Sequence, residues 1–293
     1  METYDYIVVG AGSAGCVIAN RLTADGRHRV LLLEAGGSDR RFWLQVPIGY
    51  GKSFYAPRVN WMHRTEPEPS LGGRAGYWPR GKVLGGSSAI NAMVFVRGQP
   101  GDFDAWAAAG NPGWDWAGVL PYFRRLEDSE RPPDAWRARG GPLHVADVSA
   151  DLHPLCESFL RAGAELGLPR TDDFNGAARE GVGPYEITTR GGRRMSAARA
   201  YLEPAAGRAN LRIVTEALAT RLRFEGTRAA GVDYRCGGET LSARAAREVI
   251  LCAGSIASPL LLQRSGIGPG ERLRALGIDV VRDSPAVGRH LQD

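Results

Sequence analysis

The feature that most constrains this chain lies at its amino end. Gly10-Ala11-Gly12-Ser13-Ala14-Gly15 has the spacing G-x-G-x-x-G. Alone the pattern says little, but its surroundings sharpen it. Tyr6-Ile7-Val8-Val9 before it is a short apolar run that reads as a buried strand. Ser13 to Thr23 after it reads as a helix, and Val30 to Leu33 reads as a second apolar strand, ending at Glu34. Strand, glycine turn, helix and strand within about 30 residues begin a parallel sheet. In such a unit Gly10 permits the tight turn, Gly12 lets backbone approach a diphosphate, and Gly15 lets the helix lie close on the strand. The free N–H groups at the helix start favour phosphate charge. Glu34, 24 residues after Gly10, is placed to accept hydrogen bonds from a ribose diol and would repel a 2′-phosphate. The bland alternative is a glycine turn with no ligand. A nucleotide with an ADP half is the sharper reading.

Composition bears on what else the chain could be. Its 293 residues are long enough for one large domain or two smaller ones. The net charge of +5 comes from 37 basic and 32 acidic residues mixed along the chain, not gathered into a stripe, which argues against nucleic acid as a partner. Cys16, Cys156, Cys236 and Cys252 have neither metal nor redox spacing, which fits free thiols in a reducing cytoplasm. No signal peptide or membrane span is expected, and no metal.

Further along, regular periodicity fades between Gly36 and Pro79, where prolines and aromatic residues are scattered. So long an irregular stretch suggests a lid or cofactor cover. Val119 to Glu127 reads as an amphipathic helix with Pro121 in its first turn, and His153 to Leu166 as another, stopped by Gly167. Leu211–Thr215, Leu218–Phe224 and Gly231–Arg235 are β-rich runs parted by glycines and read as a meander. Glu248 to Cys252 is an apolar strand, followed by a helix from about Ile256 to Arg264.

Gly81-Lys82-Val83-Leu84-Gly85-Gly86-Ser87-Ser88-Ala89-Ile90-Asn91 stacks glycines, two hydroxyls and an amide. On physics alone it is either a tight turn or a place where backbone approaches a planar ring and a phosphate. Here a resemblance enters. Gly81 to Asp104, with Phe95 and Gly98 between, is similar to the first signature of the glucose–methanol–choline (GMC) oxidoreductases. Gly254-Ser255-Ile256-Ala257-Ser258-Pro259 through Gly268 is similar to the second. With Gly10–Gly15 and Glu34-Ala35-Gly36-Gly37, three separated motifs agree in order, and the wording is closest to the choline dehydrogenase-like branch.

The resemblance implies an α/β fold. A three-layer FAD-binding domain of Rossmann type, with a parallel sheet and a β-meander, would use residues 1–140 and 207–293. Within it, 41–80 would be the cover loop, and 141–206 would begin an α+β substrate domain. It also implies roles. Ser13, Ala14, Glu34 and Ala35 would meet the ADP half, beside Gly10, Gly12 and Gly15. Trp61 would lie near the cofactor. Leu84, Gly86, Ser87 and Asn91-Ala92-Met93-Val94 would line the flavin and its ribityl chain, and Ala219 would mark the backbone holding the adenine. Some relatives bind the flavin covalently through a His just before the motif's Asn. Here that position is Ile90, which implies non-covalent FAD.

The implied reaction is oxidation of an alcohol CH–OH group by hydride transfer to flavin N5, with dioxygen or a quinone as acceptor. Alternatives from the same resemblance are a hydroxynitrile lyase type and a non-catalytic FAD-binding fragment. The family's catalytic His is expected beyond Asp293. The closing Val287-Gly288-Arg289-His290 is similar to a mid-protein stretch with Asn at the His position, so the 293-residue chain alone is expected to be inactive. The five histidines, His28, His63, His144, His153 and His290, read as structural.

Overall fold

A computed structural model describes residues 1–292. It resolves two compact units, one made of Met1–Asn91 and the chain from Ser196 onward, the other of Ala92–Met195.

The first unit is built on a six-stranded sheet. Its strands are β1 (Glu2–Val9), β2 (Val30–Leu33), β3 (Leu211–Val214), β4 (Leu218–Glu225), β5 (Arg228–Cys236) and β6 (Glu239–Leu251), in the order β4-β5-β6-β1-β2-β3. The four strands from β6 to β3 run parallel, while β4, β5 and β6 form an antiparallel meander. The sequence leads to this arrangement directly. Ile7, Val8, Val9 and all of β2 are at most 4% exposed, as expected of strands covered on both faces. The expectation that 6–9, 30–34 and 248–252 share one parallel sheet holds for Tyr6–Val9, Val30–Leu33 and Glu248–Leu251, with Val9 opposite both Leu33 and Leu251.

Helix α1 (Ser13–Leu22) follows β1, and helix α2 (Gly254–Arg264) follows β6. Because β1 and β6 are adjacent and parallel, both helices start at the same carboxyl edge of the sheet. Ligands in open α/β sheets bind at that edge, in the crevice where neighbouring connections diverge.

Two readings need correction. Leu211–Val214 is not part of the meander; it pairs in parallel with β2 on the opposite edge, Leu33 facing Val214. A four-residue apolar run carries no mark of its distant partner. The strand ending at Leu251 begins at Glu239, well before Glu248. Its first half alternates buried and exposed residues, so it lacks the continuous apolar signal of its second half.

The compact units divide at Asn91 and Ser196, whereas the sequence expectation divided the chain at 140 and 207. Residues 92–140 pack with 141–195 because their polar groups are satisfied there. Glu127, with no exposed side-chain surface, pairs with Arg97 and Arg137, and strand Glu127–Ser129 pairs with Leu143–Val145. The second unit contains helices Pro100–Ala108, Trp116–Leu126 and Pro154–Glu165. The middle helix starts at Trp116, capped by the Asp115 carboxylate, so Pro121 lies inside the helix and not in its first turn. The third is capped by His153, whose Nδ1 accepts the Leu155 N–H at 3.2 Å. Among the described residues no helix is long and apolar enough to cross a membrane.

Candidate cofactor site

A pocket of about 470 Å³ opens at the carboxyl edge of the first unit's sheet, in the size range of small-molecule sites. Its floor is the ends of β1, β2 and β6 (Val9, Leu33, Leu251), and its walls are three glycine-bearing loops.

The three loops interlock, backbone against backbone. The Gly85 N–H donates to Ala11 O at 2.7 Å, and the Leu84 N–H donates to Gly37 O at 3.0 Å. A Cβ on Gly36 would lie 1.9 Å from Lys82 O, and one on Gly86 would lie 2.7 Å from Gly12 Cα. Only glycine permits either approach. Gly10, at φ +99°, has the same constraint against Cys252 O at 2.5 Å. Gly12 differs. A Cβ there would meet no protein atom nearer than 3.9 Å, and its φ of −79° suits any residue. The protein itself gives no reason for glycine at this position. A ligand approaching the start of α1 does.

Glu34 is 6% exposed. Its two carboxylate oxygens accept the Ala11 N–H at 2.9 Å and the Gly36 N–H at 2.8 Å. Burial raises its pKa above the usual carboxylate range, and the N–H groups of Gly36, Ala11 and Ala35 partly offset that. Glu34 therefore ties the first two glycine loops together as well as facing the pocket. Opposite, Trp61 and His63 stack nearly parallel with centroids 6.2 Å apart, and Lys82 Nζ lies 4.7 Å above the Trp61 ring. Burial and the neighbouring Arg80 both lower the His63 pKa, so the ring is held toward its neutral form.

The pocket brings together Gly10, Gly12, Ser13, Ala14, Glu34, Ala35, Trp61, Gly86, Ser87 and Ala219 of the residues singled out from sequence. Gly15, Leu84 and Asn91 do not line it. Gly15 packs α1 on the turn, where a Cβ would meet Gly10 O at 1.9 Å. Ala92, Met93 and Val94 belong to the second unit. The wall also contains residues that sequence reading missed: His63, Arg80, Ala217, Leu218 and the start of α2 from Gly254 to Ser258. The signal for α2 was present, since Glu248–Gly254 repeats the strand-then-glycine-then-helix order of β1 and α1. Nothing local marks the others.

Three of the other histidines have structural contacts, His153 as the helix cap described above. His144 bridges Asp128 and Glu130 at 2.8 and 3.1 Å, and His28 packs edge-on against Tyr6. The four cysteines are free, and burial pushes the Cys16 thiol up to about 12, which makes it inert. Among the described residues no cluster could hold a metal ion.

Fold and pocket together define a dinucleotide-binding unit. The GMC oxidoreductase family model matches residues 4–293, and the chain belongs to that family. It is 49% identical over 294 residues to the oxygen-dependent choline dehydrogenase of Burkholderia ambifaria, covering 99% of this chain and 52% of that protein. It is 46% identical to the mitochondrial choline dehydrogenase of Mus musculus, covering 100% of this chain and 50% of that one. Among solved structures, pyridoxine 4-oxidase from Mesorbium loti superposes with a TM-score of 0.91 at 39% identity, covering 96% of this chain and 55% of that chain. An FAD-dependent oxidoreductase from Chaetomium thermophilum superposes at 0.90 with 35% identity, covering 99% and 52%. The chain thus spans about half the length of the curated relatives it matches. Its cofactor is FAD, and the open face of Gly12 beside the start of α1 fits the diphosphate of that group.

Proposed function

We propose that the first unit holds the ADP half of FAD in this pocket, and that the whole gene product oxidises the CH–OH group of a small alcohol of the choline type. The observation that carries the reading is the pocket floored by β1, β2 and β6. In its glycine loops Gly12 stands open to the pocket although neither its φ nor a neighbouring atom demands glycine there. The relatives named above as choline dehydrogenases supply the substrate class. Bound FAD supplies the acceptor for a hydride leaving the alcohol carbon. The chain's own part is to bind and orient. The N–H groups at the start of α1 meet the diphosphate, Glu34 keeps a lone pair on each oxygen for the ribose diol, and the Trp61–His63 wall closes the side. Reoxidation by dioxygen, as in the name of the Burkholderia relative, belongs to the same proposal.

The test has two levels. This chain should quench and bind FAD in equilibrium titration. The whole gene product should bleach its flavin anaerobically with choline or a related primary alcohol. A flavin left oxidised by every alcohol tried would remove the substrate assignment.

Two further outcomes follow. Glu34→Ala should weaken FAD binding by about 1.5–3 kcal/mol, through loss of a charge-assisted contact and release of the two loop N–H groups. Equal flavin occupancy of wild type and Glu34→Ala at limiting FAD would refute this. The flavin should also be released by acid precipitation. Ile90 has no nucleophile and is 2% exposed, packed among Leu44, Val59, Val83 and Ala89. Flavin fluorescence travelling with the denatured chain in a gel would contradict non-covalent binding.

A further inference from the structure

The second stretch of the first unit opens with Ser196–Leu202, in which Ala198–Leu202 forms a turn of π-helix. Such turns are rare and are found mostly at functional sites. This one is almost wholly inside. Ser196, Ala198, Ala200, Tyr201 and Leu202 are each at most 7% exposed.

The segment lies against two pieces of the pocket wall at once. One is α1, whose first residues Ser13 and Ala14 line the pocket. Asn20 belongs to the buried stripe of that helix with Cys16 and Ala19, where an amide is costly unless it is bonded. Its Nδ2 donates to Tyr201 O at 2.7 Å. Arg208 adds to the hold, donating to Asn20 O at 2.5 Å and to Thr23 Oγ1 at 2.9 Å. The other piece is the turn Gly85–Ala89, whose Gly86 and Ser87 line the pocket. Ser88 Oγ accepts the Ala197 N–H at 2.9 Å and donates to Gly85 O at 2.6 Å. A Cβ on Gly85 would lie 3.3 Å from both Ala198 Cβ and Ser196 Cβ. The turn is thus held by Ala11 and Gly12 on one side and by Ser196–Ala198 on the other.

We propose that Ser196–Leu202 is a brace that sets the spacing between the start of α1 and the Gly86–Ser87 turn, with Asn20 as the positioning residue that fixes α1 against it for the diphosphate of FAD. The proposal rests on the reading that the diphosphate meets α1. Asn20 itself touches no cofactor in this role, since it lies seven residues, about 10 Å of helix, beyond Ser13. A helix free to slide would carry its first N–H groups away from Gly86. Donors already in place bind better than donors ordered on arrival. Glu34 is held separately, because its bonds to the Ala11 and Gly36 N–H groups do not pass through the brace. The brace therefore serves the phosphates and not the adenosine end.

The experiment uses two substitutions at one position. Asn20→Leu removes the donor, and Asn20→Asp turns a second oxygen toward Tyr201 O. The control is Leu273→Ala, which opens a cavity at a residue 1% exposed in the helix Gly270–Ala275 of the same unit. Each protein is titrated with FAD, ADP and adenosine well below its melting temperature. Both Asn20 variants should bind FAD and ADP about tenfold more weakly, the scale of one lost hydrogen bond, and bind adenosine like wild type. Leu273→Ala should melt lower and bind all three like wild type. If neither Asn20 variant folds, Ser88→Ala, which cuts the other tie, should show the same split. The proposal is overturned if the variants that fold bind ADP like wild type, or if they lose adenosine as much as ADP. It is also overturned if Leu273→Ala loses ADP as they do. A wild type that binds ADP no more tightly than adenosine would instead overturn the reading that the diphosphate meets α1.

Discussion

Gly12→Ala should yield a folded protein that binds FAD at least about 100-fold more weakly, a loss of roughly 2.7 kcal/mol, whereas Gly36→Ala should not yield a stable first unit at all. Both glycines belong to loops that meet at the Gly81–Gly86 segment, though only Gly12 lines the pocket, and a sequence motif would treat both as loop glycines. The structure separates them. At Gly12 an added methyl has room, since Cys252 O and Gly86 Cα are the nearest atoms at 3.9 Å. Its φ of −79° costs an alanine nothing, and the change at a helix cap is worth about 1 kcal/mol or less. The methyl instead fills the approach to the N–H groups of α1. At Gly36 the methyl would lie 1.9 Å from Lys82 O and 2.4 Å from Val83 N, both backbone atoms of a loop held by Leu84 N–H to Gly37 O. Relief would require breaking that pairing, a change on the order of 4 kcal/mol or more. Thermal melts without FAD, followed by FAD titration of whatever folds, decide the matter. A Gly12→Ala protein that binds FAD like wild type would show that the diphosphate does not lie at α1.

That contrast shows which parts of this molecule a sequence can disclose. The β1–α1–β2 unit was legible because each signal is local: four buried apolar residues, a glycine turn, then the helix. The meander strands Leu218–Glu225 and Arg228–Cys236 and the three later helices Trp116–Leu126, Pro154–Glu165 and Gly254–Arg264 were legible for the same reason. What stayed hidden depends on partners far along the chain. The role of Gly81–Gly86 could be read as a turn or as a ligand contact. It is in fact a backbone interface with Gly12 and Gly36, which no local pattern encodes. Glu34 was read as a ribose ligand from its offset. Its hold on Ala11 and Gly36 depends on how two loops meet. His63 and Arg80 reach the pocket through a short hairpin of two-residue strands, too brief to show a period. The division at Asn91 was hidden because it follows from ion pairs between Arg97, Glu127 and Arg137, spread over 40 positions.

Those ion pairs carry the second large expectation. Arg137→Met should destabilise the protein by about 3–5 kcal/mol, lowering the melting temperature by roughly 10 °C. Arg137 is 1% exposed, and its guanidinium serves three carboxylates: Glu127 at 2.6 Å, Glu186 at 2.7 Å and Asp173 at 2.8 Å. Burial opposes its charge, but the hydrogen bonds to Glu186, Glu127 and Asp173 outweigh that and raise its pKa further. Arg97 holds the other Glu127 oxygen at 2.7 Å, so the removal of Arg137 leaves more buried negative charge than Arg97 can balance. Arg137→Lys should recover little of the loss, because one ammonium cannot reproduce the fork that reaches all three partners. The comparison that isolates burial is Arg170, paired with Glu157 at 2.7 Å but about half exposed. Two hydrated charges gain little from each other, so Arg170→Met should leave the melting temperature where it is. Calorimetric melts of the three variants and wild type give the answer. If Arg137→Met melts with wild type, the network does not hold this unit together. The placement of residues 92–140 within it would then need another cause.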